Sequence, residues 1–191
     1  SLSYSANLST ELSAYYFSSI TLDGEALSLS DEILAYNNST GVMVGHGNYG
    51  NAGNGQTEII VYGEISIEGS DSTFNTAGYM LPGEIPQFYV NNIKANYITS
   101  NGVVLQIIPP FNSPSIHTGL TLDLVSDCNG DMGGAAVISG ICADCWGGYS
   151  NLEEDFMDTD SDGICNYGAE NGDSDNCPNI ENNDQLDYDN D

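Results

Sequence analysis

TEIIVYGEISI, residues 57–67, carries the pattern on which the fold turns. Ile59, Ile60 and Val61 give an apolar run. Beyond it, Ile65 and Ile67 alternate with Glu64, Ser66 and Glu68, the period of two that a half-exposed strand requires. Working outward, similar runs recur at short intervals: AYYFSSITL (14–22), EILAY (32–36), GVMVGH (41–46), QFYV (87–90), VVLQIIP (103–109) and LTLDLV (120–125). Turn residues stand between them at Asp23-Gly24, Asn37-Asn38, Gly53-Asn54-Gly55, Gly69, Pro82-Gly83 and Asn101-Gly102. Short strands at this spacing predict an all-β fold, an antiparallel β-sandwich of immunoglobulin-like or jelly-roll-like kind. Val103–Ile108, apolar almost throughout, is expected to be a central strand.

Composition divides the chain. It has 191 residues, with 28 Asp and Glu against one cation, Lys94, and a net charge of -27. Nucleic acid and anionic membrane surfaces need basic partners and are excluded as ligands. No apolar run is long enough for a membrane span. Residues 1–126 hold 11 acids; residues 127–191 hold 17 and all five cysteines. The expected organisation is therefore a sandwich over 1–126, a Cys/Gly-rich joint over 127–148 and an acidic tail over 149–191. The opening Ser1, without a methionine or leader, reads as the start of a processed or excised segment.

In the sandwich, His46 and His117 are expected as exposed turn residues, and no nucleophile or zinc-protease motif accompanies them. The protein is expected not to be an enzyme. Tyrosine supplies 12 of the 18 aromatic side chains. These should pack half-buried on the sheet faces, the alternative being sugar stacking. Asn7, Asn37 and Asn38 each open an Asn-x-Ser/Thr glycosylation acceptor.

The joint, DCNGDMGGAAVISGICADCWGG, contains Cys128, Cys142 and Cys145. A lone CxxC without a second pair or a histidine favours disulfides over zinc, and disulfides imply an extracellular or cell-surface location. The segment resembles a recurring linker of secreted bacterial multidomain proteins. Asp127, Cys128, Gly130, Gly133, Gly134, Ala135, Cys142, Cys145, Gly147 and Gly148 match, and Met132 stands where a further cysteine is usual. Three local cysteines leave the local pairing open.

In the tail, DTDSDG sets Asp158, Asp160 and Asp162 at alternate positions before Gly163. Such a loop can wrap one hard cation, with the Ile164 carbonyl as a further oxygen. Asp173 and Asp175 follow, then Asp184, Asp187, Asp189 and Asp191. Calcium, which accepts six to eight oxygens in loose geometry, suits this supply better than magnesium. Position twelve of the first loop is Ala169 where an EF-hand needs glutamate, so this is not an EF-hand. Without a cation, 12 acids in the last 37 residues would repel one another.

The arrangement DxDxDG…DxDNCPNxxNxDQxDxDxD resembles the thrombospondin type 3 repeat, carried by Asp158, Asp160, Asp162, Gly163, Asp173, Asp175, Asn176, Cys177, Pro178, Asn179, Asn182, Asp184, Gln185, Asp187, Asp189 and Asp191. The resemblance implies Ca2+ bound by a chain wrapped around its ions, with disulfides between successive repeats and Cys165–Cys177 as a pair. The stretch CNYGAENG (165–172) is longer than the usual spacer. The last loop stops at Asp191 before its glycine and the cysteine count is odd, so a continuing chain or a neighbouring subunit is expected to complete both. Function is then expected to be structural: a subunit or stalk module of an extracellular fibre or surface assembly that self-associates. The alternatives are an adhesin or glycan-binding module, or an accessory region of a secreted enzyme.

Overall fold

The computed structural model describes residues 6–65 and 76–186. Their regular structure is entirely β, with no helix among the described residues. They form two units: residues 1–97 with 104–125, and residues 98–103 with 126–191. The hexapeptide 98–103, read from sequence as part of the sandwich, belongs to the second unit.

In the first unit, β1 (Leu12–Leu22) is the centre of one sheet. It pairs antiparallel with β5 (Thr57–Tyr62) over its first half and with the short β2 (Glu25–Ala26) at its end. Asp23-Gly24, both at positive φ, make the two-residue turn from β1 to β2, as the sequence indicated. On the opposite flank of β1 runs β8 (Ser115–Leu124), in parallel. The second sheet has the order β4 (Met43–Asn48), β3 (Glu32–Asn37), β6 (Pro86–Val90), β7 (Ile93–Lys94), and all its pairs are antiparallel. Among the described residues the expectation of a sandwich of antiparallel strands holds, apart from the parallel pair β1–β8 and the isolated parallel bridge between Gly63 and Met80.

The sheets meet through aromatic rings. Tyr15 and Phe17 on β1 lie 5.5 and 5.0 Å from Phe88 on β6, edge to face, and all three are buried. Inward residues of β1 then change parity, from Tyr15 and Phe17 to Ile20, because a bulge intervenes between Phe17 and Ser19. At one side β4 lies directly on β5. A Cβ on Gly45 would sit 2.3 Å from the Ile60 carbonyl oxygen, so no larger residue fits.

The other side is closed by the segment expected to be a central strand, and that expectation is corrected. Residues 103–109 belong to no strand. Val104, Leu105 and Ile107 are exposed, while Ile108 and Phe111 are buried. Gln106 spans from the Asn96 carbonyl oxygen, 2.7 Å away just past β7, to the Asp123 N–H of β8 at 3.0 Å. Pro109 and Pro110 have no N–H to give a ladder, which bars the run from a sheet interior.

Both histidines are on strands rather than in turns. His46 is exposed on β4; His117 lies on β8 with its ring 4.7 Å from that of Tyr15 and bonded to Ser115 Oγ at 3.0 Å. Asn37 is also corrected as a glycosylation candidate. It is buried, and its amide nitrogen lies 3.0–3.2 Å from Gly78 O, Tyr79 O and Glu84 Oε2. Asn38 is exposed in the following turn, and Asn7 donates its N–H to Tyr79 Oη. Tyrosines of the sandwich do pack on its sheets, Tyr36 and Tyr89 meeting edge to face at 5.1 Å and Tyr97 Oη bonding Pro86 O, whereas Tyr149 and Tyr167 of the second unit are exposed.

The second unit contains one hairpin, β9 (Val137–Ser139) with β10 (Asp144–Trp146), and is otherwise irregular. Asp127 organises the joint. Its Oδ1 accepts the Asn129 and Asp131 N–H groups at 3.0 Å, and its Oδ2 accepts that of Ala136 at 2.9 Å. A Cβ on Gly134 would lie 2.0 Å from that Oδ2, so the carboxylate occupies the room the glycine leaves. Two disulfides cross-link the unit, Cys128–Cys145 and Cys142–Cys165. The Cys165–Cys177 pair implied by the resemblance is therefore corrected: Cys165 is joined to the joint. The long spacer makes this possible. It turns back so that Asn171 N–H bonds Cys142 O and Asn171 Nδ2 bonds Ile141 O at 2.8 Å, holding the tail where Cys165 meets Cys142.

Candidate metal centre

The loop from Asp155 to Asn166 is shaped by its own carboxylates. Asp155 Oδ1 accepts the Cys142 N–H at 2.8 Å, anchoring the loop's start beside the disulfide. Asp158 Oδ2 accepts the Gly163 N–H at 3.0 Å, and Asp162 Oδ1 that of Ile164 at 2.8 Å. Asp160 Oδ1 faces the Asp162 N–H at 3.3 Å, and the Asn182 N–H reaches Asp162 Oδ2 at 3.0 Å. These bonds fold the segment so that ligand oxygens of Asp158, Asp160 and Asp162 lie within 4.8 Å of one another, with Asp162 buried.

The oxygens these bonds leave over define the site. Asp158 Oδ1, Asp160 Oδ2 and Asn166 Oδ1 are buried and have no hydrogen-bond partner. An unmet buried polar atom costs about 1–3 kcal/mol, more when charged. Unit charges at this separation repel by about 3–4 kcal/mol per pair in a medium of effective dielectric about 20. The arrangement is unfavourable by itself and becomes favourable around a cation. Every donor is an oxygen, the chemistry of a hard ion.

Asp175 offers a further buried oxygen outside this trio. Its Oδ1 accepts the Cys177 N–H at 2.8 Å and Gln185 Nε2 at 3.0 Å, while its Oδ2 is buried without a partner. Gln185 also clamps Asn176, through its Oε1 and its carbonyl, each at 2.9 Å. Asp173 and Asp184 are not drawn in. Both are exposed; Asp173 bonds to Asn171, and Asp184 Oδ1 accepts the Leu186 N–H. Ile164 is half-buried beside the trio in sequence, and Asp187, Asp189 and Asp191 lie outside the described residues.

Asn166 was missed by the sequence reading, and a signal for it existed. It is position nine of a loop whose positions one, three and five are the aspartates, an alternate position at which oxygen ligands recur. Asp144 was also missed. It is buried behind the loop, its Oδ2 accepting the Met157 N–H at 3.2 Å, and burial pushes its pKa up.

No family model, curated protein or solved structure matches the chain.

Proposed function

We propose that this protein is a secreted, non-enzymatic structural protein stabilised by calcium, a subunit or stalk module of an extracellular fibre or surface assembly. One observation carries the calcium reading: ligand oxygens of Asp158, Asp160 and Asp162 lie within 4.8 Å of one another, and Asp158 Oδ1 and Asp160 Oδ2 are buried without hydrogen-bond partners, as is Asn166 Oδ1 in the same loop. Asp158, Asp160, Asp162 and Asn166 would hold one ion, with the Ile164 carbonyl available to it, and Asp175 would contribute to another. The ion supplies charge neutralisation and no bond-breaking chemistry. The resemblance to thrombospondin type 3 repeats supports the same assignment. Two disulfides suit an oxidising compartment, and no helix among the described residues is long and apolar enough to cross a membrane.

Calcium titration by calorimetry, paired with thermal unfolding, tests the reading. Binding should be measurable on the full chain, and Asp160→Asn should weaken the first site at least tenfold. Chelation should melt the second unit and leave the sandwich folded, since among the described residues the orphaned buried oxygens all lie in the second unit. A melting profile indifferent to chelator would refute the calcium assignment. Electron microscopy of native material in calcium then tests the assembly: regular fibres or arrays are expected, and dispersed particles under all conditions would point to an adhesive module instead.

A further inference from the structure

The second sheet of the sandwich breaks with the charge of the chain around it. Its four strands carry one acid, Glu32, and the only lysine, Lys94, in a chain of net charge -27. Asp31 and Glu84, just outside β3 and β6, are each engaged: Asp31 by the Ser28 N–H and Asn91 Nδ2, Glu84 by Asn37 Nδ2 and the Leu81 N–H. Pairing decides which residues share the solvent side. Phe88 meets Tyr15 and Phe17 of the facing sheet, so Tyr89, next along β6, points the other way. Ala35 lies opposite Phe88, which places Leu34 and Tyr36 on the side of Tyr89. A Cβ on Gly45 would meet the Ile60 carbonyl of the facing sheet, so His46 is turned outward too.

The register sets these side chains in one row. His46 on β4 is opposite Leu34 on β3, Leu34 opposite Tyr89 on β6, and Tyr89 opposite Lys94 on β7. Neighbouring strands lie about 4.8 Å apart, so the row runs about 14 Å across the sheet. Leu34 is 2% exposed although it is on the solvent side. Tyr36 and Tyr89, half-buried and edge to face at 5.1 Å, stand beside it, and His46 is exposed. The result is an aromatic surface with an imidazole at one end of the row, an ammonium at the other, and the Glu32 carboxylate one step along β3.

This surface suits one ligand chemistry. β3 is paired on both flanks, by β4 and β6, and β6 by β3 and β7, so a peptide cannot add to either as a strand. Side chains alone are on offer. Tyrosine rings give apolar faces to the C–H groups of a pyranose and hydroxyls to its polar edge. His46, Lys94 and Glu32 add donors and acceptors for sugar hydroxyls. Charge narrows the choice further. A polyanion is repelled by a chain with 28 acids, whereas a single carboxylate finds its complement at the one lysine.

We propose that the solvent side of the sheet β4–β3–β6–β7 binds a short glycan bearing one carboxylated sugar, with pyranose rings stacked on Tyr36 and Tyr89 and the carboxylate on Lys94. This goes beyond the structural-subunit reading and depends on neither calcium nor assembly. It gives the sandwich a binding role of its own, separate from the acidic unit.

The test titrates the full chain with three probes, followed by NMR chemical shifts. They are oligosaccharides ending in one uronic acid, the same sugars with that acid as its methyl ester, and a short peptide carrying one carboxylate. The acid sugars should bind, and their esters about three- to fivefold more weakly, the worth of one exposed ion pair. Lys94→Gln should weaken the acid sugars to the level of the esters and leave ester binding unchanged; Lys94→Arg should restore the difference. Tyr89→Ala should weaken acid and ester alike, by about tenfold. Melting temperatures accompany each variant, and the Lys94 pair gives a readout that leaves the rings in place. Three results would overturn the site: a parent that binds neither sugar form, a Lys94→Gln variant that still prefers the acid to the ester, or tighter binding of the peptide than of the acid sugars. None of them bears on the calcium titration or the microscopy, so this site and the subunit reading fail separately.

Discussion

Asn37 shows how one buried amide can hold a loop to a strand. At the end of β3 it offers its nitrogen to Gly78 O, Tyr79 O and Glu84 Oε2, and its Oδ1 accepts the Ser39 N–H at 2.9 Å. Asn37→Ala should strand these acceptors and destabilise the sandwich by about 2–3 kcal/mol, read by urea unfolding. A change under about 0.5 kcal/mol, the size expected for surface substitutions, would show the amide to be dispensable. His117 makes a pH-dependent contribution. Burial lowers its pKa below the ordinary value of 6.5, so the folded chain binds this proton less readily than the unfolded one. Its contribution is therefore full above pH 6.5 and is lost as the pH falls through that value toward the lower folded one. Sandwich stability should decline from pH 7 to 5, and His117→Gln should flatten the decline. Equal slopes in parent and variant would exclude His117 as the source.

Among elements, the segment 103–109 separates what pattern can and cannot reveal. β1, β3, β4, β5 and β6 each coincide with an apolar run read from sequence, because alternation and turn residues are local properties. VVLQIIP carries as strong an apolar signal, yet its side chains face both solvent and core while its backbone closes a gap. Only the neighbouring β7 and β8 determine that, and neither is local to it. The second half of β8 coincides with the run LTLDLV, but its first half, SIHTG, has little apolar content, so the start of the strand and its parallel pairing with β1 were illegible. In the tail, spacing was enough to place Asp158, Asp160 and Asp162 together and could have placed Asn166. The partner of Cys165 depended on where the spacer 165–172 turned, which spacing does not encode. The closing role of 103–109 predicts a contrast between adjacent residues. Ile108→Ala should cost the sandwich about 2–4 kcal/mol, and Ile107→Ser about 0.5 kcal/mol or less, in denaturant titrations. Similar costs at the two positions would contradict the burial pattern.

For the whole molecule, charge and cross-linking are segregated. The sandwich rests on an aromatic core; among the described residues the second unit has two disulfides and an apolar cluster of Cys142, Cys165, Ala169 and Met157. Small units without a large apolar interior commonly rely on such supports. The two units are not successive along the chain, however. Ser100, within the span of the sandwich, gives its N–H to Ala135 O at 2.8 Å, and its Oγ accepts the Gly148 N–H at 2.8 Å. Residues 98–103 are thus a piece of the second unit carried on the first. No single cut yields both units whole: severing after residue 126 takes Ser100 from the fragment that needs it and leaves the sandwich fragment holding a loop without its partners. A chain ended there should show fast amide exchange at Ser100 and protected exchange in β1, whereas slow exchange at both would mean the loop orders itself. Genetic shuffling of such a unit as a cassette would have to carry its distant loop along, which ties the inheritance of one half to the other.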